Sequence, residues 1–350
     1  MNWLAKWEQG MRRLDELPPR WAWPVGVGAF MILGLALTRL PSWHFGLGLL
    51  GLCGLLIWLA LSGEPVVQLP SASLHRRGPD EQRPERIVIL PLQENLEMIE
   101  LPDGEFWMGS PQREKGRYAD EVRHRVRLSA FAMAKYPVTQ HLYKSIMGVN
   151  PSLFLGGARP VEKVSWFEAV RFCNKLSELA GLQPCYQVTE AQDETGRVGP
   201  PQVVWSRGAD GYRLPTEAEW EYSCRAGTQS AYSFGDETEE LGEYAWFAAN
   251  SGRSTQEVGQ KKANNWGVHD LHGNIWEWCW DWYEPYKVTD DNDMIVNPVG
   301  PPAGKGRVVR GGSFNSGPRV LRAAFRNKLQ PEEHDRYLGF RCVRGSRRKP

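Results

Sequence analysis

The chain has 350 residues with 42 Lys+Arg against 41 Asp+Glu, so no global field would draw it onto nucleic acid or an acidic lipid surface, and any partner has to be recognised locally. Its 16 Trp and 36 Gly point to loops and turns pinned by aromatic anchors rather than to a helical bundle. Six cysteines without a CxxC pair argue against a zinc ribbon or a dense disulfide framework and leave the redox compartment open.

Residues 1–20 form a polar N-terminal segment. From Trp21 to Thr38 the run WAWPVGVGAFMILGLALT carries no charge, and after the link RLPSWH a second uncharged run extends from Phe45 to Leu61. At about 1.5 Å per residue each run covers most of a hydrocarbon core of roughly 30 Å, and Trp21, Trp23, Trp43 and Trp58 suit the interfacial belts. Residues 21–61 are therefore expected to form a two-helix transmembrane hairpin. A signal peptide followed by a buried helix is the other reading, but no small-residue cleavage site separates the two runs. Lys6, Arg12, Arg13 and Arg20 precede the first run, whereas the link holds only Arg39. The positive-inside rule then places both ends in the cytoplasm, with the chain a two-span protein of the cell inner membrane and its large domain cytoplasmic. Residues 62–86, rich in Pro and charge, read as a tether, and residues 87–350 as one large domain.

In that domain IVILPL and MIELPDGEFWMGS read as short strands broken by turns. A short helix is expected to start at Thr139. Ser165 with Glu168 makes a capping box, the stripe Phe167, Val170, Cys173, Leu176, Leu179 follows at helical spacing, and Gly181 closes the helix. Thr216 with Glu219 opens another helix that ends at Gly227. Trp276, Trp278, Trp280 and Trp282 recur along a strand, two expected in the core and two lining a surface. From Gly235 onward the chain is rich in Gly, Trp and Asn, and the whole reads as an α+β domain with much irregular chain. Such loops need fastening by metal, disulfide or buried Arg networks.

The runs GEFWMGS (104–110), YRLPTEAEWEYSCRAG (212–227), GVHDLHGNIWEWCWDWY (267–283), RVVRGGSF (307–314), RAAFRN (322–327) and LGFRC (338–342) occur in an order and spacing that resembles the formylglycine-generating enzyme, or sulfatase-modifying-factor, family. The resemblance covers Glu97 to Arg344 and implies a C-type-lectin-like variant of an α+β fold. Active members oxidise a substrate cysteine with a copper-binding cysteine pair, whose positions are occupied here by Ser316 and Leu321. A serine hydroxyl cannot replace a soft thiolate ligand, so copper is not expected and no residue is assigned a catalytic role.

The resemblance also implies calcium. The DxxGxIxE pattern places carboxylates at Asp270 and Glu277 and backbone carbonyls at Gly273 and Ile275, an all-oxygen set of the kind calcium takes. The alternative is that the two carboxylates cap turns and pair with arginines. A second site would lie at Asn250 and Ser251. The pair His269 and His272 has no third ligand at metal spacing and reads as neutral and structural. The family also implies a disulfide between Cys173 and Cys342, which a cytoplasmic domain would keep reduced, and leaves Cys224 a buried core residue because its family partner position is Ala323.

The resulting expectation is a catalytically silent, membrane-anchored, calcium-stabilised module that binds a protein or small-molecule ligand at a C-terminal groove through Asn315, Ser316, Arg319 and Arg322. Some family members are targets of diversity-generating retroelements, and the segment from Phe314 to Arg341 is compatible with that use. The alternative, from a different class, is a maturation enzyme that modifies a peptide or small molecule without the cysteine pair, with Ser316 at its centre.

Overall fold

The computed structural model describes residues 85–89, 95–190, 199–286 and 293–345, all within one compact unit spanning Arg77–Pro350. The expected hairpin over 21–61 lies outside the described residues, among which no helix is long and apolar enough to cross a membrane.

In chain order the elements are β1 (Glu85–Ile89), β2 (Asn95–Leu101), β3 (Gly104–Met108), β4 (His124–Leu128), β5 (Phe131–Ala134), α1 (Gln140–Met147), α2 (Trp166–Leu179), β6 (Tyr186–Thr189), β7 (Gln202–Trp205) and α3 (Glu217–Arg225). They continue with α4 (Leu241–Tyr244), β8 (Trp276–Trp282), β9 (Met294–Val296), β10 (Arg307–Arg310), β11 (Asn327–Leu329), β12 (Leu338–Gly339) and β13 (Val343–Gly345). The strands form sheets ordered β1-β2-β5-β13, β11-β10-β8-β12 and β3-β4-β9, with β6-β7 as a separate hairpin. Because β13 pairs antiparallel with β5, the end of the domain is stitched to its beginning. Close by, β12 lies parallel to β8, Leu338 opposite Trp276.

The expected helices form for the expected reasons. Thr139 caps α1, and both capping boxes are closed, Ser165 with Glu168 on α2 and Thr216 with Glu219 on α3. Gly181, at φ +66°, takes the left-handed turn after α2, whereas α3 turns one residue early, at Ala226 with φ +46°. The four tryptophans of β8 share one face by the two-residue period, with Trp276 and Trp278 buried and Trp280 and Trp282 half-buried. Trp278 is fixed further by its indole N–H donating to the Val164 carbonyl at 2.9 Å.

The fastening of the loops comes from buried arginines. All nine residues of α3 are buried, including Glu217, Glu219, Glu221 and Arg225. Glu219 takes a fork from Arg213 at 2.6 and 2.7 Å, and Glu217 takes one from Arg326 at 2.6 and 2.7 Å. Glu221 accepts from Arg225, Arg310 and the Gly109 amide. Burial alone would raise the Glu221 pKa, but Arg225 and Arg310 outweigh it and hold the carboxyl below its usual range. Cys173 and Cys342 lie 3.8 Å apart, sulfur to sulfur, as free thiols, and Cys224 is buried in the core.

Candidate functional site at the C-terminal groove

Strand β10 delivers RVVR into the core, and Gly311 and Gly312, at φ +92° and +72°, reverse the chain so that Ser313 to Arg322 folds back over it. A 3₁₀ turn, Pro318–Leu321, follows. A Cβ on Gly312 would fall 2.5 Å from a Leu321 methyl and 3.4 Å from the Ser316 hydroxyl, so the turn admits no side chain there.

That packing decides what the two sequence-predicted copper positions can do. Leu321 is fully buried in an apolar cluster with Ala231, Tyr232, Leu241 and Ala245. The Ser316 hydroxyl accepts the Ser313 amide at 3.0 Å and lies 3.4 Å from the Ser313 hydroxyl, with no histidine or carboxylate bonded to it among the described residues. A hydroxyl and a hydrocarbon do not fit Cu(I), which needs soft donors. Beneath them His272 is buried: its Nδ1–H donates to the Leu321 carbonyl at 2.8 Å while Nε2 accepts the Ser233 amide at 3.1 Å. Burial lowers its pKa to about 4, which makes it the neutral structural histidine the sequence suggested.

Beside this packed core is a cleft of about 580 Å³ between the loop at 111–116, the turn at 229–238 and the 3₁₀ turn. Arg319 and Arg322 both line it, whereas Asn315 and Ser316 do not. Arg319 is exposed, donates Nε–H to the Gly116 carbonyl at 2.8 Å and stacks over Tyr118 at 3.9 Å. Arg322 is already committed to the protein. It forks onto the Glu121 carboxylate at 2.8 and 2.6 Å, reaches Glu114 at 2.5 Å, and spends its remaining donors on the Gly116 and Arg319 carbonyls. With all its N–H groups engaged and its side chain 2% exposed, Arg322 builds the wall of the cleft, whereas Arg319 is exposed on it. Sequence reasoning missed Glu114 and Glu121, since residues some two hundred positions away leave no local signal.

The calcium residues separate in the same way. Asp270 is 4% exposed, in the left-handed region at φ +59°. Its Oδ2 accepts the Gly259 amide at 2.7 Å, while the nearest partner of Oδ1 is the Asn274 amide at 3.5 Å. No ion pair reaches it among the described residues, and burial raises its pKa. Glu277 is instead clamped by Arg341 at 2.7 and 2.6 Å and by the Trp220 indole at 2.7 Å. The arginine reading of Glu277 is therefore the one the structure shows, and those three bonds leave the carboxylate roughly one free acceptor position. Of the two predicted carboxylates, Asp270 is thus the one without an ion pair among the described residues, and Glu277 could be a shared ligand at most. At the second predicted site the side chains are already used: Asn250 bonds the Phe247 amide and the Ala245 carbonyl, and Ser251 bonds the Phe314 carbonyl and the Arg253 amide. Asn250 and Ser251 thus staple their own loop, and among the described residues no three His, Cys, Asp or Glu side chains converge as a metal site.

Against known proteins, residues 87–346 match the model of the sulfatase-modifying factor enzyme 1-like domain. A protein named chaperone protein LppX, from Paenibacillus barcinonensis, is 33% identical over 258 residues, covering 67% of this chain and 86% of that protein. The formylglycine-generating enzyme of Bos taurus is 27% identical over 91% of this chain and 95% of its own length. Among solved structures, Treponema denticola variable protein 1 superposes with a TM-score of 0.65 at 33% identity, covering 72% of this chain and 96% of that one.

Proposed function

The chain belongs to the sulfatase-modifying factor enzyme 1-like domain family, and on that premise we propose that it is a membrane-tethered binding module without formylglycine-forming oxidase activity. Its ligand, a protein or a small molecule, is taken at the C-terminal cleft beside Arg319. The observation that carries this reading is the fully buried Leu321, which lies against Gly312 in an apolar cluster at one of the two positions where a copper thiolate pair would have to sit. The alternative of a residual enzyme centred on Ser316 lacks a base, because the hydroxyl is bonded within its own turn.

The surface favours binding. Along the segment after β10, Asn315, Arg319, Asn327, Lys328, Glu332, Glu333 and His334 are exposed, while Phe314, Leu321, Arg322, Ala323, Ala324 and Arg326 are buried. Outward positions can change there without disturbing the inward ones that hold the fold. A relative of similar fold carries the name of a variable protein, which agrees with a surface used for recognition. Calcium enters the proposal at Asp270, with the carbonyls of Gly273 and Ile275 and the remaining acceptor position of Glu277. There it would neutralise a buried carboxylate and fix the turn before β8. The uncharged runs at 21–61 would hold the module on the cytoplasmic face of the inner membrane.

The purified chain, loaded with copper and given oxygen, a reductant and a Cys-x-Pro-x-Arg peptide, is expected to form no formylglycine above background by mass spectrometry. Catalytic conversion of the peptide would overturn the reading.

A further inference from the structure

A second cleft, of about 660 Å³, opens on another part of the domain, between the end of β8, the N-terminus of α3 and the proline-rich loop 298–303. Its volume lies within the range of small-molecule sites. Trp282, Tyr286, Ile295, Pro298 and Pro301 give it apolar walls, and Asp281 lines it with only 4% of its surface exposed. One carboxylate oxygen of Asp281 accepts the Glu217 amide at 2.8 Å. Gly300 lies flush against the carboxylate, where a Cβ would come within 3.1 Å of Oδ1.

The cations nearby make their close contacts with other groups, although Arg307 still feels the Asp281 charge. Arg326 is forked onto Glu217. Arg310 is held by Glu221 and Glu217, and Arg307 is sandwiched between the rings of Trp166 and Trp282 at 3.8 and 3.7 Å. No ion pair reaches Asp281 among the described residues. The Tyr286 hydroxyl, which also lines the cleft, is buried without a hydrogen-bond partner. A buried carboxyl group without an ion pair and an unsatisfied hydroxyl, both lining one cleft with apolar walls, are costly features for a fold to keep unless a ligand completes them.

From this geometry we infer that the cleft is a second binding site, taking a small organic cation whose ammonium pairs with Asp281, whose apolar body lies against Trp282 and the prolines, and whose polar atom meets the Tyr286 hydroxyl. The buried acid supports the assignment. Burial, and next the Glu217 charge, raise the Asp281 pKa to about 8, which outweighs the opposing pull of Arg326, so a ligand that brings a positive charge into direct contact favours the ionised form. An ammonium entering at neutral pH displaces the acid's proton to solvent, and affinity rises with pH towards about 8. The charged groups facing Asp281 are Glu217 and Glu219 of α3, Arg307 of β10 and Arg326, with His124 on the cleft wall.

The test uses the full chain and two probes of one shape and opposite charge, phenethylamine and 3-phenylpropionate, titrated by calorimetry at about pH 8.5. Saturable binding of the amine, with the acid weaker by at least about tenfold, is the expected result for a charge-assisted contact in a dry site. Asp281→Asn keeps an acceptor for the Glu217 amide and should weaken the amine by a similar factor. Ala303→Trp, a change at the exposed rim, should block it sterically without touching the core. If the Asn variant fails to fold, the amine-against-acid comparison and the rim variant decide. Equal binding of the two probes, no saturable binding of the amine, or amine binding unchanged in either folded variant would overturn the inference.

Discussion

Replacing Arg322 by Met tests whether this residue builds the cleft or binds in it. The substitution keeps an unbranched stem but removes the guanidinium, and so strips the counter-charge from Glu121, which is fully buried, and from Glu114, whose side chain is 4% exposed. Breaking a buried pair by removing one partner costs about 3–5 kcal/mol, because the charge left behind has no solvent to turn to. Arg322 and Glu114 line a cleft, from which water can reach them once the pair is broken, so the lower end of that range is the better expectation. For a domain of this size each kcal/mol moves Tm by about 2–4 °C, giving a fall of roughly 6–12 °C by calorimetry. Adding Glu121→Gln to Arg322→Met should recover part of the loss, since the orphaned charge is then gone and contacting residues couple non-additively. A variant that melts within about 2 °C of the parent yet loses ligand would show that Arg322 is a binding residue, and the wall argument would be wrong.

Three further outcomes follow, two from the structure and one from the sequence of residues 1–61. Removing calcium with a chelator should lower Tm, because Asp270 would be left as a buried carboxylate without a cation; an unchanged Tm in protein shown metal-free by elemental analysis would remove calcium from the proposal. Reporter fusions at Ser42 and after Pro350 should place the loop outside and the C-terminus in the cytoplasm, and a C-terminal fusion reporting from outside would reverse the topology and favour a Cys173–Cys342 disulfide. His272 should titrate near pH 4 rather than 6.5 by NMR. Its neutral form is the one the fold prefers, so the stability it contributes is complete above about pH 6.5 and is lost as pH falls through about 4, a swing on the order of 3 kcal/mol. A titration midpoint near 6.5 would contradict the buried, doubly bonded imidazole.

The parts of this fold that were legible are those whose physics is local. Capping boxes at Ser165 and Thr216 could be read because the two partners sit three residues apart, and the Trp276 to Trp282 run could be read as a strand because its period is two. The partners of Arg322 could not be read because Glu114 and Glu121 lie 208 and 201 residues away, and the pairs Arg326–Glu217 and Arg341–Glu277 span 109 and 64. A basic residue next to a groove motif looks like a ligand contact until its carboxylates are found. The Asp281 cleft was invisible for a related reason, since its walls come from segments as far apart as Met108, Glu217, Asp281, Pro298 and Arg326. These long-range forks also explain how a chain with so few regular elements keeps a rigid groove. Each arginine ties a loop to α3, β8 or the 111–121 loop through two or more directed bonds, and directed bonds fix orientation as well as distance. Substituting an outward residue such as Arg319 leaves every one of those forks intact, whereas substituting Arg322, three positions on, removes one.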